Sequence, residues 1–256
     1  MKSPLKDNPL HNPGETLDKE IDSLINDGAM KYIIAPVFIG VLAMLEWWRW
    51  FMEQPPTPIL YSIIFVIVLA YSVPKVFAIK KQLRSLRLGR DGEKAVGQYL
   101  EGLRASGAKI FHDIPGQNFN LDHVVIASSG IYVIETKTYS KPEKGRAVII
   151  FNGTGVRLNN LPENNKPIIQ VTAAASWLKS LLQESTGKKF ETKPVVVFPG
   201  WFIEPTSEAR NSDVWVLNPK ALPTFISNSK SSLSDEETNM ASFHLSRYIR
   251  SYKEKQ

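Results

Sequence analysis

Hydrophobicity along the chain falls into two regimes. From Tyr32 to Leu45, and again from Gln54 to Pro74, apolar residues run almost unbroken. The second stretch holds no charged residue, and Ile59–Val73 is nearly all Ile, Val, Leu, Phe, Tyr and Ala. A helix needs roughly 20 apolar residues to cross a bilayer. The second stretch reaches that length. The first reaches it with its end, Glu46-Trp47-Trp48-Arg49-Trp50-Phe51-Met52, at the interface, where tryptophan is favoured. Gln54-Pro55-Pro56-Thr57-Pro58 reads as a tight turn between two helices. The competing reading, a buried helical hairpin of a soluble protein, fits poorly with so long an uncharged run. Residues 1–30 are polar, acidic and carry Pro4, Pro9 and Pro13. This composition predicts disorder in the first half, followed by a short helix over Thr16–Ile25. A basic start running directly into an apolar core is missing, so a secretory signal peptide does not fit.

From Gly89 onward the pattern changes to short alternating and helical periods. Ala95, Val96, Tyr99, Leu100 and Leu103 have helical spacing over Asp91–Ser106, ending at Gly107. Lys109–Ile114, Leu121–Ala127 and Ile131–Thr138 read as strands, the last two joined by a Ser128-Ser129-Gly130 hairpin turn. Ala147–Phe151 is a further strand closed by Asn152-Gly153, and Pro167–Gln183 a helix. Val195–Phe198 and Val214–Leu217 are short strands, and Ser234-Asp235-Glu236-Glu237 is a capping box opening a last helix to about Tyr252. The expected organisation is therefore a polar segment (1–30), two transmembrane helices (31–80), a basic juxtamembrane linker (81–90), an α/β domain (91–230) and a C-terminal helix (231–256).

Charge and composition sharpen this. The net charge of +6 is uneven, with −3 over residues 1–30, +6 over 31–90 and +3 over the remainder. Lys75, Lys80, Lys81, Arg84, Arg87 and Arg90 follow the second apolar stretch with no acid among them. By the positive-inside rule this segment faces the cytoplasm, and two spans then place both termini inside. A DNA-backbone role is the second reading of the same charge. Cysteine is absent, which excludes disulfides, thiolate zinc sites and a cysteine nucleophile. His11, His112, His123 and His244 lack metal-ligand spacing. Trp47, Trp48 and Trp50 belong to the membrane edge, while Trp177, Trp201 and Trp215 read as core or loop anchors.

The candidate chemistry lies on two adjacent strands. Asp122 opens one, and Glu135-Thr136-Lys137 closes the other across the turn. Alternation puts Glu135 and Lys137 on the face of Ile131 and Val133. Two carboxylates and an ammonium then converge at one end of a hairpin, a set suited to holding Mg²⁺ and hydrolysing a phosphodiester. A structural ion pair is the plain alternative. The tripeptide recurs as Glu191-Thr192-Lys193 before Pro194, without a hairpin partner offering an acid, and reads as a solvated loop. His123, on the opposite strand face from Asp122, reads as a satisfied core histidine, and Asn118 and Asn120 as turn residues.

Gly92-Glu93 opening a helix, Asn120-Leu121-Asp122-His123-Val124-Val125, and Gly130-Ile131-Tyr132-Val133-Ile134-Glu135-Thr136-Lys137 together resemble the NERD (nuclease-related) domain, over about Gly89 to Val197. That family is placed in the restriction-endonuclease-like, PD-(D/E)XK, superfamily. The resemblance implies an α/β core with a central mixed sheet flanked by helices. It also implies Asp122 and Glu135 as metal ligands for Mg²⁺ or Mn²⁺, Lys137 as the catalytic lysine, Glu93 as a helical acid and Gln170 as a site glutamine. For Glu93, the helix dipole alone accounts for a carboxylate in the first turn. Gln170 has a backbone-bonding alternative. Two functions follow: a membrane-anchored Mg²⁺-dependent nuclease acting on DNA, multi-pass in the cell inner membrane with its nuclease domain cytoplasmic, or a non-catalytic membrane-associated module binding nucleic acid or protein on the same fold. A purely structural membrane protein ranks last. The partners expected are nucleic acid and membrane lipid.

Overall fold

A computed structural model describes residues 10–54, 57–117, 119–142, 145–158 and 161–253. The chain forms two compact units. One comprises Thr16–Leu88, the other Met1–Glu15 together with Gly89–Gln256.

In the first unit, α1 (Glu15–Ser23) runs through a wider turn, Leu24–Ala29, into α2 (Met30–Phe51). The second long helix, α3 (Pro58–Glu101), starts in this unit and ends in the other. Both helices are long and apolar enough to cross a membrane. Their outer surfaces carry exposed Phe38, Met44, Trp48, Val66 and Ile67, an apolar extent that soluble monomers avoid. Gly40 lies against the Phe65 ring, and Trp47 Nε1 donates to Ser62 Oγ at 3.2 Å. At the connection, Glu46 accepts from the Thr57 amide at 3.0 Å and from Arg49 at 3.0 Å. Pro55 and Pro56 of the expected tight turn, like Pro4, Pro9 and Asn118, lie outside the described residues. The segment 81–90, expected as a linker, is helical throughout and continuous with α3.

The second unit is a mixed α/β domain. After α3 and a short 3-10 turn, the strands are β1 (Lys109–Pro115), β2 (Asn120–Ala127), β3 (Gly130–Thr136), β4 (Val148–Phe151) and β5 (Val156–Leu158). Helix α4 (Lys166–Thr186) leads to β6 (Thr192–Val197), β7 (Phe202–Pro205) and β8 (Trp215–Leu217). Helices α5 (Leu222–Ser227) and α6 (Asp235–Lys253) close the domain. The main sheet has the order β1-β2-β3-β6-β8, with β1-β2-β3 an antiparallel meander and β6 and β8 added in parallel. A small sheet, β5-β4-β7, lies beside it. Sequence reading does not find β5, β7 and α5, because stretches of three to six residues show too little period.

Strand alternation divides the interior. Ile131, Val133 and Val196 join the larger core with α4 and α6, whereas Tyr132, Ile134, Val195 and Val197 join the smaller one with the end of α3 and with α5. The alternation breaks at Asp113, which has φ of 50°. Phe111 and Ile114 consequently both enter the larger core, while Ile110 enters the smaller. Residues 10–15, expected to be disordered, belong to this domain, and Leu10 packs on its larger core.

Close approach of α3 to the chain after β3 requires a glycine. A Cβ at Gly92 would fall on the Thr138 hydroxyl, and β-branched Thr138 has little rotamer freedom to yield. Gly92→Ala is expected to destabilise the domain by roughly 1–3 kcal/mol through overpacking. Adding Thr138→Ala should recover part of the loss, as a double-mutant cycle in urea unfolding will report.

Candidate functional site

Three strands bring acids to one level of the sheet. The outermost recorded rung of β2 and β3 at this end is His123↔Ile134, so the next residues outward are Asp122 and Glu135. Between β1 and β2, the rungs His112↔His123 and Ile114↔Leu121 leave Asp113 and Asp122 in the interval between them. Asp113, Asp122 and Glu135 therefore form a row across adjacent strands. Pairing of β3 with β6 continues through Glu135↔Val196 and Thr136↔Val197. The Lys137 amide then donates to the Val197 carbonyl at 2.9 Å, fixing the chain just past the strand.

The side chains are tied to one another. Asp122 Oδ2 accepts from the Thr136 amide at 2.6 Å. Lys137 Nζ donates to Glu135 Oε1 at 2.6 Å. Glu135 is only 4% exposed, and Asp113 equally so, its Oδ1 accepting from Asn120 Nδ2 at 3.1 Å. From α3, Glu93 accepts a hydrogen bond from the Gly14 amide and senses the charges of Asp113, Glu135 and Lys137.

Withdrawal from water dominates the electrostatics. Burial, then Asp113 and Glu135, push Glu93 up to about 7, against the smaller opposing pull of Lys137 and the Gly14 amide. Burial, then Glu135 and Glu93, hold Asp122 well above the usual carboxylate range. Glu135 is raised by burial despite its contact with Lys137. For Lys137, burial acts downward, but Glu135 and Asp122 outweigh it and raise the ammonium. The cluster thus holds more carboxylates than its ammonium neutralises, the condition in which mutual repulsion shifts proton affinities.

Asp122, Glu135, Lys137 and Glu93 are all brought together. Gln170 lies exposed early in α4 and, among the described residues, makes no hydrogen bond or charge contact with them. Sequence reading does not single out Asp113. Its only signal is its place opposite Asp122, which needs the β1–β2 register. Asn120, expected in a turn, opens β2 and holds Asp113. His123 is fully buried, with its Nδ1 2.8 Å from His112 Nδ1, and His112 Nε2 lies 3.2 Å from Glu101 Oε1. If His112 Nε2–H donates to that carboxylate, His112 Nδ1 accepts from His123 Nδ1–H. His123 Nε2 is left without a partner, so this histidine is only half satisfied. Burial pushes both rings down, keeping them neutral.

Among the described residues, no three His, Asp or Glu side chains form a ready-made metal cage. Mg²⁺ does not need one, since it commonly takes one or two carboxylates and keeps several waters. The hard oxygen donors of Asp122 and Glu135, in a cluster with more carboxylates than the Lys137 ammonium neutralises, fit such an ion.

Metal-free protein should lose stability as pH rises. Glu93 ionises at about 4.5 when unfolded and at about 7 when folded. Between these values the folded state binds more protons, so stability falls through that window. Asp122 and Glu135 act in the same direction. Urea midpoints measured in EDTA from pH 4 to 8 should fall, and Glu93→Gln should flatten the slope.

The similarity to known proteins is partial. An uncharacterized protein of Bacillus anthracis is 32% identical over 79 residues, which span 29% of this chain and 37% of that protein. The structure of Pyrococcus furiosus SfsA in complex with Ca²⁺ aligns with a TM-score of 0.25 and 18% identity, over 48% of this chain and 52% of that one. The chain thus spans about a third to a half of these relatives. The family model of the nuclease-related domain matches residues 88–199, the stretch containing Glu93, Asp113, Asp122, Glu135 and Lys137. Residues 88–199 of this chain are a nuclease-related domain of the NERD family.

Proposed function

We propose that this protein is a membrane-anchored, Mg²⁺-dependent nuclease that hydrolyses phosphodiester bonds in DNA. The observation that carries this reading is the buried excess of carboxylate over ammonium at the end of the β2–β3 hairpin. Burying unpaired negative charge costs stability, and such groups gather where function requires them. Mg²⁺, when bound, supplies a Lewis acid for the phosphoryl oxygen and lowers the pKa of a coordinated water.

The chain's own groups divide the remaining work. Asp122 and Glu135 present carboxylate oxygens as ligands, with Asp122 held in orientation by the Thr136 amide. Lys137, kept protonated by its acidic neighbours, offers an ammonium to charge developing on the phosphate. Glu93, with its proton affinity near neutrality, is suited to exchanging a proton with water at the site.

Two apolar helices and the chain connectivity support the anchor. Residues 10–15 and the chain from Gly89 onward belong to one unit, so the chain leaves that unit and returns to it. If α2 and α3 each cross a bilayer, both flanks lie on one side. The basic run from Lys75 to Arg90 marks that side as cytoplasmic, at an inner membrane whose anionic lipids it favours.

Full-length protein in detergent should cleave plasmid or single-stranded DNA with Mg²⁺ or Mn²⁺ and not with EDTA. Asp122→Ala and Lys137→Ala should each lower the rate by about 100-fold or more, the scale of losing a charge-stabilising group. Glu135→Gln should remove Mn²⁺ binding in calorimetry. Cleavage by either alanine variant at the wild-type rate would overturn the proposal. Salt-sensitive DNA binding without cleavage in any metal would favour a binding module instead.

A further inference from the structure

The five residues before α1 make contacts that neither a membrane anchor nor a disordered tail accounts for. Leu10 packs on the larger core. His11 Nδ1 lies 2.6 Å from the Asp113 carbonyl, which can only accept, so the ring is protonated at Nδ1. Pro13 covers Gly97 so closely that a Cβ there would stand 2.6 Å from the proline Cγ. Gly14 has φ of 70°, and a Cβ on it would stand 3.1 Å from Arg90 Cγ. Its amide donates to the Glu93 carboxylate. Two of these contacts end on acids of the cluster, one on the Glu93 side chain and one on the backbone of Asp113, where the strand leaves its regular conformation. Ordering each residue costs ~1–2 kcal/mol in backbone entropy. Leu10, His11, Pro13 and Gly14 each contact the domain, although His11 Nε2 is buried without a partner among the described residues.

We propose that residues 10–14 form a strap built into the site, which positions Glu93 and the Asp113 turn. The domain is then completed by chain that precedes the apolar hairpin, and a fragment beginning at Gly89 lacks one wall of its acid cluster. His11 and Gly14 are positioning residues that act through the acids they touch. The activity readout rests on the nuclease reading, whereas docking of the strap does not. The rival device is a lid that must lift for substrate to enter.

The absence of cysteine allows a direct test in the full-length protein. A Cβ at Gly97 would lie 3.1 Å from that of Pro13, a few tenths of an ångström inside the disulfide range, so a small outward shift of the strap brings the pair into it. Pro13→Cys with Gly97→Cys should cross-link on mild oxidation, read by mass and by electrophoretic mobility. The oxidised protein should keep Mn²⁺ affinity and cleavage within about twofold of its reduced form. Gly14→Pro removes the amide donor and cannot adopt the required φ. It should weaken Mn²⁺ binding about tenfold or more, as loss of a supporting hydrogen bond does, and should lower kcat more than it changes KM. Gly14→Asn keeps the amide and tolerates this conformation, so it should recover most of both. No cross-link would show that the strap does not dock. Cleavage lost on oxidation and restored by reduction would establish the lid, and normal Mn²⁺ affinity in Gly14→Pro would exclude positioning. A wild-type protein that neither binds Mn²⁺ nor cleaves would sink the nuclease reading and the positioning role, while the cross-link would still decide docking.

Discussion

Carboxylates repel one another most where water is scarce, and Glu93, Asp122 and Glu135 meet under that condition with the Lys137 ammonium against only one of them. Left to themselves they would separate or protonate. The architecture limits separation: β3 is clamped between β2 and β6, and cores lie on both faces of the sheet. The cost falls on proton affinity instead: burial raises all three acids, and repulsion from neighbouring acids adds to it at Glu93 and Asp122. Buried acids in excess of their counter-charge lower the stability of the domain, and groups held at such a cost gather where function requires them.

The neighbouring histidines show how finely the strands separate two environments. Asp122 and His123 are consecutive, yet they face opposite sides of β2. His123 pairs across the sheet with His112 between hydrophobic side chains and stays neutral. A neutral pair with one bare ring nitrogen is tolerable there, since an unmet lone pair costs far less than a buried charge. Acidic chemistry is thus confined to one side of the meander's end, while the other side remains structural.

Much of this was legible in the sequence because it follows from local periodicity. The meander, the hairpin turn, the helices after Pro167 and Ser234 and the convergence of Asp122, Glu135 and Lys137 all depend on alternation or on helical spacing. What was hidden depends on register or on distant contacts. Asp113 becomes a cluster member only when β1 is aligned with β2, and its positive φ breaks the alternation used to place side chains. The 10–14 segment lies in a polar N-terminal stretch carrying Pro4, Pro9 and Pro13, a composition that predicts disorder, yet tertiary contacts with residues about 80 to 100 positions away hold it. The basic segment 81–90 contains the boundary between the two units, and it is helical because Lys, Arg and Leu favour helix and α3 continues through it.

The repeated tripeptide shows what its surroundings contribute. Glu191-Thr192-Lys193 was expected in a solvated loop, but Thr192 and Lys193 open β6, with Thr192 paired to Ile131. Here the tripeptide leads into a strand rather than ending one. Glu191 is exposed and bonded to Lys179 at 2.8 Å, Thr192 Oγ1 donates to the Ala175 carbonyl, and Lys193 lies over the Trp215 ring. Its lysine is lowered by burial, where Lys137 is raised by its acids. The two lysines are therefore shifted in opposite directions at the two ends of parallel strands. What separates them is the company of Asp122 and Glu93, supplied by a hairpin and a helix that only the first copy possesses. The tripeptide gives a residue set, and the fold around its end makes it a site.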